Sequence, residues 1–228
     1  MTTRQEAWDH EYLAGKSLPT THYRVLSAHT NFFERFLTER KISGKMLDIG
    51  CGDAKNAVFF AANGQFVYGV DISSQALSLA NSEIVRSEQQ SNIRLVQADI
   101  CAGWPFRKSS FASALDATTL INVTGETEIA NYLTELKRVL RPGGVFQIVT
   151  PILPDEFYAK LVAEQNCKTI QHGNGIVQRV YSLEELLNLL KISFSIEAVD
   201  VVRKENKMYG QTYKRVHARI IGVNYARS

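Results

Sequence analysis

The sequence predicts an α/β fold: a three-layer sandwich in which helices cover both faces of a seven-stranded, mostly parallel sheet. Between residues 45 and 149, short apolar strand-like segments alternate with amphipathic helical ones, a pattern that favours parallel strands joined by right-handed helical crossovers. Near the C-terminus, two long strand-like segments are separated only by the polar stretch 204–214. That stretch is too short for a helical crossover, so the last strand is predicted to be antiparallel.

Each element has its own local signal. Apolar residues recur at helical spacing from Val25 to Leu37, and Ser43-Gly44 ends that helix. The predicted parallel strands are 45–49, 66–70, 93–98, 111–115 and 145–149. The helices between them are predicted at 55–63, from Ser73 or Ser74 to about Ile84, and at 127–140. In the tail, the predicted elements are a helix over 157–164, a second helix opened by a capping box at Ser182, and a hairpin of 194–202 with 216–223.

Composition and charge narrow the class of protein. The 228 residues carry a formal net charge of +3, which does not by itself indicate a nucleic-acid partner. Cys51, Cys101 and Cys167 lack paired metal-ligand spacing, so we predict reduced thiols and no metal site. The N-terminus has no signal-peptide core, and no apolar run reaches the ~20 residues of a membrane span. We expect a cytoplasmic protein without a membrane partner, either a monomer or a homodimer.

Four aspartates stand at or near the ends of successive predicted strands: Asp48, Asp71, Asp99 and Asp116. Because parallel strands end at the same edge of a sheet, these carboxylates are predicted to gather where such folds bind ligands. Any one of them alone is equally well explained as a helix cap or a turn residue. Their joint placement beside a glycine loop favours a binding site.

The loop after the first strand contains Gly50 and Gly52. Glycines allow a close approach of backbone to ligand and accept positive φ, and the helix that follows offers unpaired N–H groups at its N-terminus. Asp71 comes at the interval expected for a carboxylate that binds both hydroxyls of a ribose. The combination indicates a nucleoside-containing cofactor.

Two nucleoside cofactors compete for this site. A nicotinamide dinucleotide requires a third glycine at the position of Lys55, where a lysine side chain would obstruct close packing of helix against strand. S-adenosylmethionine has no pyrophosphate, and its ammonium and sulfonium suit a site rich in acids, with Asp48 near the ammonium. The sequence therefore favours S-adenosylmethionine, with S-adenosylhomocysteine as product, over a nicotinamide oxidoreductase.

Several segments resemble the class I S-adenosylmethionine-dependent methyltransferases of small-molecule type. MLDIGCGDAKNA resembles their first motif, VYGVDIS their ribose-binding strand end, and IRLVQADI their adenine-contacting segment. WPFRKSSFASALDATTLINV is similar to their fourth-strand region and LKRVLRPGGVFQIVTP to their fifth-strand signature. The resemblance covers residues 45–151 and implies a Rossmann-like fold. Ala54 departs from it, because many members have a third loop glycine there.

The resemblance also implies a role for each matching residue. The backbone of Gly50, Cys51 and Gly52 would face the methionine part, and the backbone of Asp116 and Ala117 would lie near the same end. Asp71 would bind the ribose hydroxyls, with Ile72 packing on the adenine. Asp99 would accept from the adenine amino group, and the Ile100 N–H would meet the ring.

The acceptor side is less defined. In the N-terminal segment, which is a candidate lid, Tyr12, His22 and Tyr23 are candidate acceptor contacts, and Arg24 is a candidate partner of the cofactor carboxylate. The segment after the fifth strand adds Phe157, Tyr158 and His172, the last as a candidate base. Packing and surface positions are the alternative explanation for all of these residues. No catalytic residue is assigned, since in-line methyl transfer can proceed by proximity and alignment.

We therefore predict one domain over 1–228, made of an N-terminal lid and helix (1–44), a cofactor-binding core (45–151) and a substrate-side segment with the last helix and hairpin (152–228). The predicted function is methylation of an O, N or S atom of a small molecule. Asp116-Ala-Thr-Thr119 is not the Asn/Asp-Pro-Pro-Tyr of enzymes that methylate amino groups of bases or glutamine. An RNA or protein methyltransferase and a non-catalytic S-adenosylmethionine-binding module stay as alternatives.

Overall fold

The computed structural model describes residues 3–14, 18–19 and 28–225. The strands are β1 (Lys45–Ile49), β2 (Phe66–Asp71), β3 (Ile93–Gln97), β4 (Phe111–Ala117), β5 (Leu140–Leu153), β6 (Thr169–Gln171), β7 (Val177–Arg179), β8 (Tyr181–Ser182), β9 (Ser195–Met208) and β10 (Gln211–Val223). The helices are α1 (Arg4–Leu13), α2 (Ala28–Glu39), α3 (Lys55–Ala62), α4 (Ser74–Arg86), α5 (Glu126–Val139), α6 (Glu156–Gln165) and α7 (Leu183–Lys191). A 3₁₀ turn over Leu120–Asn122 follows β4.

The main sheet has the order β3-β2-β1-β4-β5-β10-β9. β1 runs parallel to β2 and β4, and β10 runs antiparallel to both of its neighbours. Short β8 adds a parallel contact beside β5, and β6 pairs with β7 in a separate small sheet. This confirms the predicted α/β fold with a mostly parallel sheet and an antiparallel last strand. The chain order reverses between β1 and β4, so the carboxyl ends of these strands border the crevice where such sheets bind ligands.

Apolar helix faces cover the sheet on both sides. On one side, α5 contributes Leu133 and Leu136, and α7 contributes Leu186, to a cluster with the sheet residues. On the other side, Phe33 of α2 and Phe60 of α3 pack in a second cluster. Each helix repeats its apolar residues at intervals of three or four, which places them on the face that meets the sheet. Within the described ranges, none of the helices is long and apolar enough to cross a membrane.

Two local expectations differ from the structure. The polar stretch 204–214, expected as a loop, instead continues both strands of the terminal hairpin as far as a turn at Tyr209 and Gly210. Both turn residues have positive φ, 51° and 77°, the conformation that lets a two-residue turn match the twist of paired strands. The fifth predicted strand, 145–149, instead extends over Leu140–Leu153, and its pairing with β4 shifts register between Phe111 and Ser113. The sequence of the stretch 204–214 is polar, so it does not predict strands. Backbone hydrogen bonds, not side-chain burial, hold an exposed hairpin together.

Candidate functional site

A cleft lies at the carboxyl ends of β1 to β4, with α1 across it. Of the residues predicted from the sequence, those lining it are Tyr12, Gly50, Asp71, Ile72, Asp99, Ile100 and Ala117. Residues without a predicted role also line it: Arg4, Trp8, Cys101, Thr118, Thr119, Asn122 and Val123. The strand ends thus converge on one crevice, as the alternating pattern predicted.

The glycine loop forms the floor of the cleft beside α3. Gly50 and Gly52 both have positive φ, 64° and 56°. A Cβ atom at Gly50 would lie 2.2 Å from Thr119 Oγ1, and one at Gly52 would lie 2.5 Å from the Tyr12 hydroxyl oxygen. Both positions therefore require glycine for conformation and for space. Ala54, at the N-cap of α3, is also left-handed and makes no side-chain cap.

Asp71 ties this loop to the next helix. Its Oδ2 accepts a hydrogen bond from the Gly52 N–H, and its Oδ1 accepts one from the Ser73 N–H, both at 2.9 Å. Burial raises the pKa of Asp71, although the two backbone hydrogen bonds act against that shift. The side chain is 8% exposed and lines the cleft. A carboxylate fixed in this way is preorganised to accept hydrogen bonds from a diol.

Asp99 follows β3 and Asp116 is the penultimate residue of β4, and their side chains differ in orientation. Asp99 lines the cleft, where its Oδ1 accepts from the Cys101 N–H at 2.9 Å. Asp116 is 1% exposed, and its carboxylate accepts from the Thr119 and Leu120 N–H groups. The Asp116 side chain therefore caps the 3₁₀ turn inside the core, and its neighbour Ala117 presents backbone to the cleft.

Helix α1 is fixed across the cleft by polar contacts of Arg4 and Asp9. Arg4 Nη1 lies 3.2 Å from Asp99 Oδ2, and Arg4 Nη2 lies 2.7 Å from Glu128 Oε1. Asp9 accepts from the Ser73 hydroxyl at 2.7 Å and from the Gln75 N–H at 3.1 Å, so its charge sits at the positive end of α4. The described part of the N-terminal segment thus covers the site as a lid would.

The other acceptor-side candidates have separate outcomes. His22, Tyr23 and Arg24 lie outside the described residues. Phe157 and Tyr158 do not line the cleft, because α6 packs them in a cluster of their own with Ile121, Ile170 and Val180. His172 is half-buried and is hydrogen bonded to Gln178 Oε1 at 2.9 Å. The cleft therefore leaves out all three downstream candidates, contrary to expectation.

Known proteins resemble both this sequence and this fold. Residues 46–144 match a family model described as a methyltransferase domain. A demethylmenaquinone methyltransferase of Tropheryma whipplei is 32% identical over 50% of this chain and 45% of that protein. A sterol 24-C-methyltransferase of Gibberella zeae is 27% identical over 64% of this chain and 38% of that protein. An S-adenosylmethionine-dependent methyltransferase of Methanosarcina mazei superimposes with a TM-score of 0.71 at 22% identity, over 89% of this chain and 99% of that one.

The chain is therefore similar to methyltransferases over residues 46–144 and in its fold. It spans less than half the length of the two curated relatives named above. The match covers β1 to the start of β5, which is the part of the fold that forms the cleft floor.

Asp48 is a buried carboxylate of β1 that does not line the cleft. It is 1% exposed on β1, and neither carboxyl oxygen makes a hydrogen bond of normal geometry to the described residues. The Ala57 N–H and Lys55 favour its charged form in part. Burial first, then repulsion by Asp116 and Asp71, nevertheless raise its pKa to about 7.

Replacing Asp48 with asparagine is expected to change how stability depends on pH. The pKa of Asp48 in the folded protein, about 7, lies above its usual 3.8, so the folded state retains a proton that the unfolded state has released. Stability therefore falls as pH rises from about 4 to about 7, by up to ~4 kcal/mol. Asparagine has no charge to bury, so the ligand-free variant should exceed wild type in stability at about pH 8 and match it near pH 4.

Urea unfolding midpoints of both proteins between about pH 4.5 and about pH 8 measure this difference. The gap in unfolding free energy should widen steadily as pH rises. A constant gap, or a wild type more stable than Asp48→Asn at the alkaline end, contradicts the predicted buried charge.

Proposed function

We propose that this protein is an enzyme that transfers a methyl group from S-adenosylmethionine to an O, N or S atom of a small molecule and releases S-adenosylhomocysteine. The observation that carries the proposal is Asp71, fixed at the rim of the cleft by the Gly52 and Ser73 N–H groups. Such a carboxylate beside a glycine loop is the arrangement that binds a nucleoside ribose. On this proposal, residues 1–228 form one catalytic domain of a soluble, cytoplasmic protein. That protein acts as a monomer or a homodimer.

The cofactor would lie along the strand ends. Asp71 would accept both ribose hydroxyls, with Ile72 against the adenine, and Asp99 and the Ile100 N–H would meet the edge of the base. The loop backbone at Gly50, Cys51 and Gly52, together with Ala117, would surround the methionine part, above the buried Asp48. Arg24 would pair with the carboxylate. When bound, S-adenosylmethionine supplies an electrophilic methyl group on a sulfonium.

The rest of the cleft is suited to hold an acceptor. Trp8, Tyr12 and Val123 contribute aromatic and apolar surface, and Asn122 contributes an amide. Helix α1 covers this space, which favours exclusion of water and alignment of the acceptor with the methyl group. The relatives support a small acceptor, since one is named for demethylmenaquinone and another for sterols. The sterol enzyme is named as a 24-C-methyltransferase, so carbon acceptors belong in any test.

Calorimetry and turnover separate the candidate functions. S-adenosylhomocysteine at about 100 times its dissociation constant should stabilise the protein by ~2.7 kcal/mol, and NADH should not. Methyl-labelled S-adenosylmethionine incubated with a panel of phenols, amines, thiols, quinones and sterols should then label at least one of them. Labelling only of RNA or protein would favour the macromolecular alternative. Binding without any labelled product would favour a non-catalytic module, and stabilisation by NADH alone would contradict the methyltransferase proposal.

A further inference from the structure

We propose that Asn122 and Gln178 are positioning residues, which hold the backbone of Thr118 in the conformation that methyl transfer requires. The catalytic part of this inference rests on the proposed function. It concerns a chain of hydrogen bonds that starts in the small β6–β7 hairpin and ends at the cleft.

Thr118 has an unusual conformation for its residue type. It follows β4 directly, lines the cleft, and has φ of +74°. A β-branched residue in the left-handed region is a genuine outlier and persists only where surrounding contacts enforce it. The Thr118 N–H donates to the Val149 carbonyl at 2.8 Å. The Thr118 carbonyl accepts from Asn122 Nδ2 at 3.1 Å, so both of its peptide groups are held.

Asn122 is held in turn by a fully buried amide. Gln178 Nε2 donates to Asn122 Oδ1 at 2.8 Å, and Gln178 is 0% exposed. Gln178 Oε1 accepts from the Tyr158 hydroxyl at 3.1 Å and contacts His172 Nε2 at 2.9 Å. An oxygen surrounded by donors assigns the N–H to His172 Nε2, and burial lowers the pKa of His172, which favours that neutral form. Because Asn122 Nδ2 donates to the Thr118 carbonyl, Asn122 Oδ1 faces Gln178, and the Gln178 amide presents its donor to Asn122.

The hairpin that carries Gln178 is also attached to the other side of the cleft. Asn174 at its tip donates from Nδ2 to Glu11 Oε2 of α1 at 2.8 Å, and Glu11 is 1% exposed. Ile176 packs with Ala7 and Leu18 nearby. The β6–β7 hairpin thus connects α1 with the 3₁₀ turn over Leu120–Asn122. Phe157, Tyr158 and His172, although they do not line the cleft, belong to the segment that shapes it.

The conformation of Thr118 depends on supports that are both near and far in sequence, from Asn122 to Gln178. Threonine alone would relax to negative φ and rotate the peptide groups on either side, one of which joins Ala117, where the methionine end of the cofactor would lie. Strained residues of this kind cluster at functional sites. A misplacement of about 1 Å at such a site lowers rates by as much as ~100-fold.

The test uses Asn122→Asp, which keeps the acceptor for Gln178 but removes the N–H that Thr118 needs. In single turnover with an acceptor found in the panel, Asn122→Asp should be slower than wild type by about 10- to 100-fold. Its dissociation constant for S-adenosylhomocysteine should change less than about threefold, because the proposed cofactor contacts lie elsewhere. Asn122→Ala should reproduce the loss without a new charge. Asn188→Asp on α7 makes the same change away from the cleft and should leave the rate unchanged.

Glycine at Thr118 supplies the deciding comparison. Because glycine accepts positive φ without strain, adding Asn122→Asp to Thr118→Gly should slow that variant by less than about threefold. The proposal would be overturned if Asn122→Asp lowered the single-turnover rate equally in wild type and in Thr118→Gly, or lowered it in neither. If wild type binds no S-adenosylhomocysteine, the proposed function fails. The claim that Asn122 holds Thr118 at positive φ can still be tested, by crystal structures of wild type and Asn122→Asp. Thr118 should leave positive φ in Asn122→Asp, and an unchanged Thr118 would refute the role of Asn122.

Discussion

Replacing Asp71 with alanine is expected to weaken binding of S-adenosylhomocysteine by about 100-fold or more. A carboxylate that accepts from both ribose hydroxyls makes two charge-assisted hydrogen bonds, each worth ~1.5–3 kcal/mol. The same carboxylate also holds the Gly52 and Ser73 N–H groups. Alanine therefore removes direct contacts and also releases the loop that faces the methionine part. Isothermal titration of S-adenosylhomocysteine into both proteins measures the loss.

Asp53→Asn is the matched control for charge near the loop. Asp53 follows Gly52 directly but does not line the cleft, so its change should alter the dissociation constant less than about threefold. If Asp53→Asn lost as much affinity as Asp71→Ala, general electrostatic attraction rather than hydrogen bonding would explain the binding. Wild-type affinity in Asp71→Ala would remove Asp71 from the ribose site. Thermal unfolding of each variant without ligand checks that both are folded.

The parallel half of the fold was predictable because its signals are local. Each strand from β1 to β5 is a short apolar run next to a turn or a cap, and each helix repeats apolar residues on one face. Local signals were weaker in the tail, where β6 and β7 are only three residues long. A strand that short has no detectable periodicity, so the hairpin that connects α1 with the 3₁₀ turn could not be predicted.

The four aspartates show that a local sequence pattern does not predict which way a side chain at a strand end points. All four lie at or near a strand end. Asp71 and Asp99 line the cleft. Asp48 and Asp116 do not, and each is only 1% exposed. The Asp116 side chain turns inward because the 3₁₀ turn that follows offers two backbone N–H groups to it. The interval to the glycine loop selected Asp71 correctly as a cleft residue, since that interval is set by one helix and one strand.

Contacts between distant parts of the chain could not be predicted from the sequence pattern. Arg4 meets Asp99 across 95 residues, and Gln178 meets Asn122 across 56. Neither pair has a spacing that a periodic or motif argument could use, because the fold alone brings the partners together. A candidate site predicted from one sequence therefore contains the cleft residues that share a motif and omits those that other elements contribute.

Replacing Gly50 with alanine is expected to lower the free energy of unfolding by ~2–5 kcal/mol and to abolish measurable binding of S-adenosylhomocysteine. An alanine with φ near +64° costs ~1–2 kcal/mol. Its Cβ would also lie 2.2 Å from Thr119 Oγ1 and 2.7 Å from Thr119 Cγ2, and overpacking of this kind costs a further ~1–3 kcal/mol. Thr119 cannot simply move, since its Oγ1 donates to the Ile49 carbonyl at 2.8 Å and its N–H donates to Asp116.

Gly64→Ala separates the two costs. Gly64 ends the same helix that Gly50 precedes and also has positive φ, 83°, but a Cβ there meets nothing within 4 Å. Gly64→Ala should therefore show only the conformational ~1–2 kcal/mol and bind S-adenosylhomocysteine normally. Adding Thr119→Ala to Gly50→Ala should recover most of the steric part, because the two closest contacting atoms are then gone. If Gly50→Ala and Gly64→Ala unfold at equal urea concentrations, strain alone accounts for the loss. In that case contact with Thr119 is not what requires glycine at Gly50.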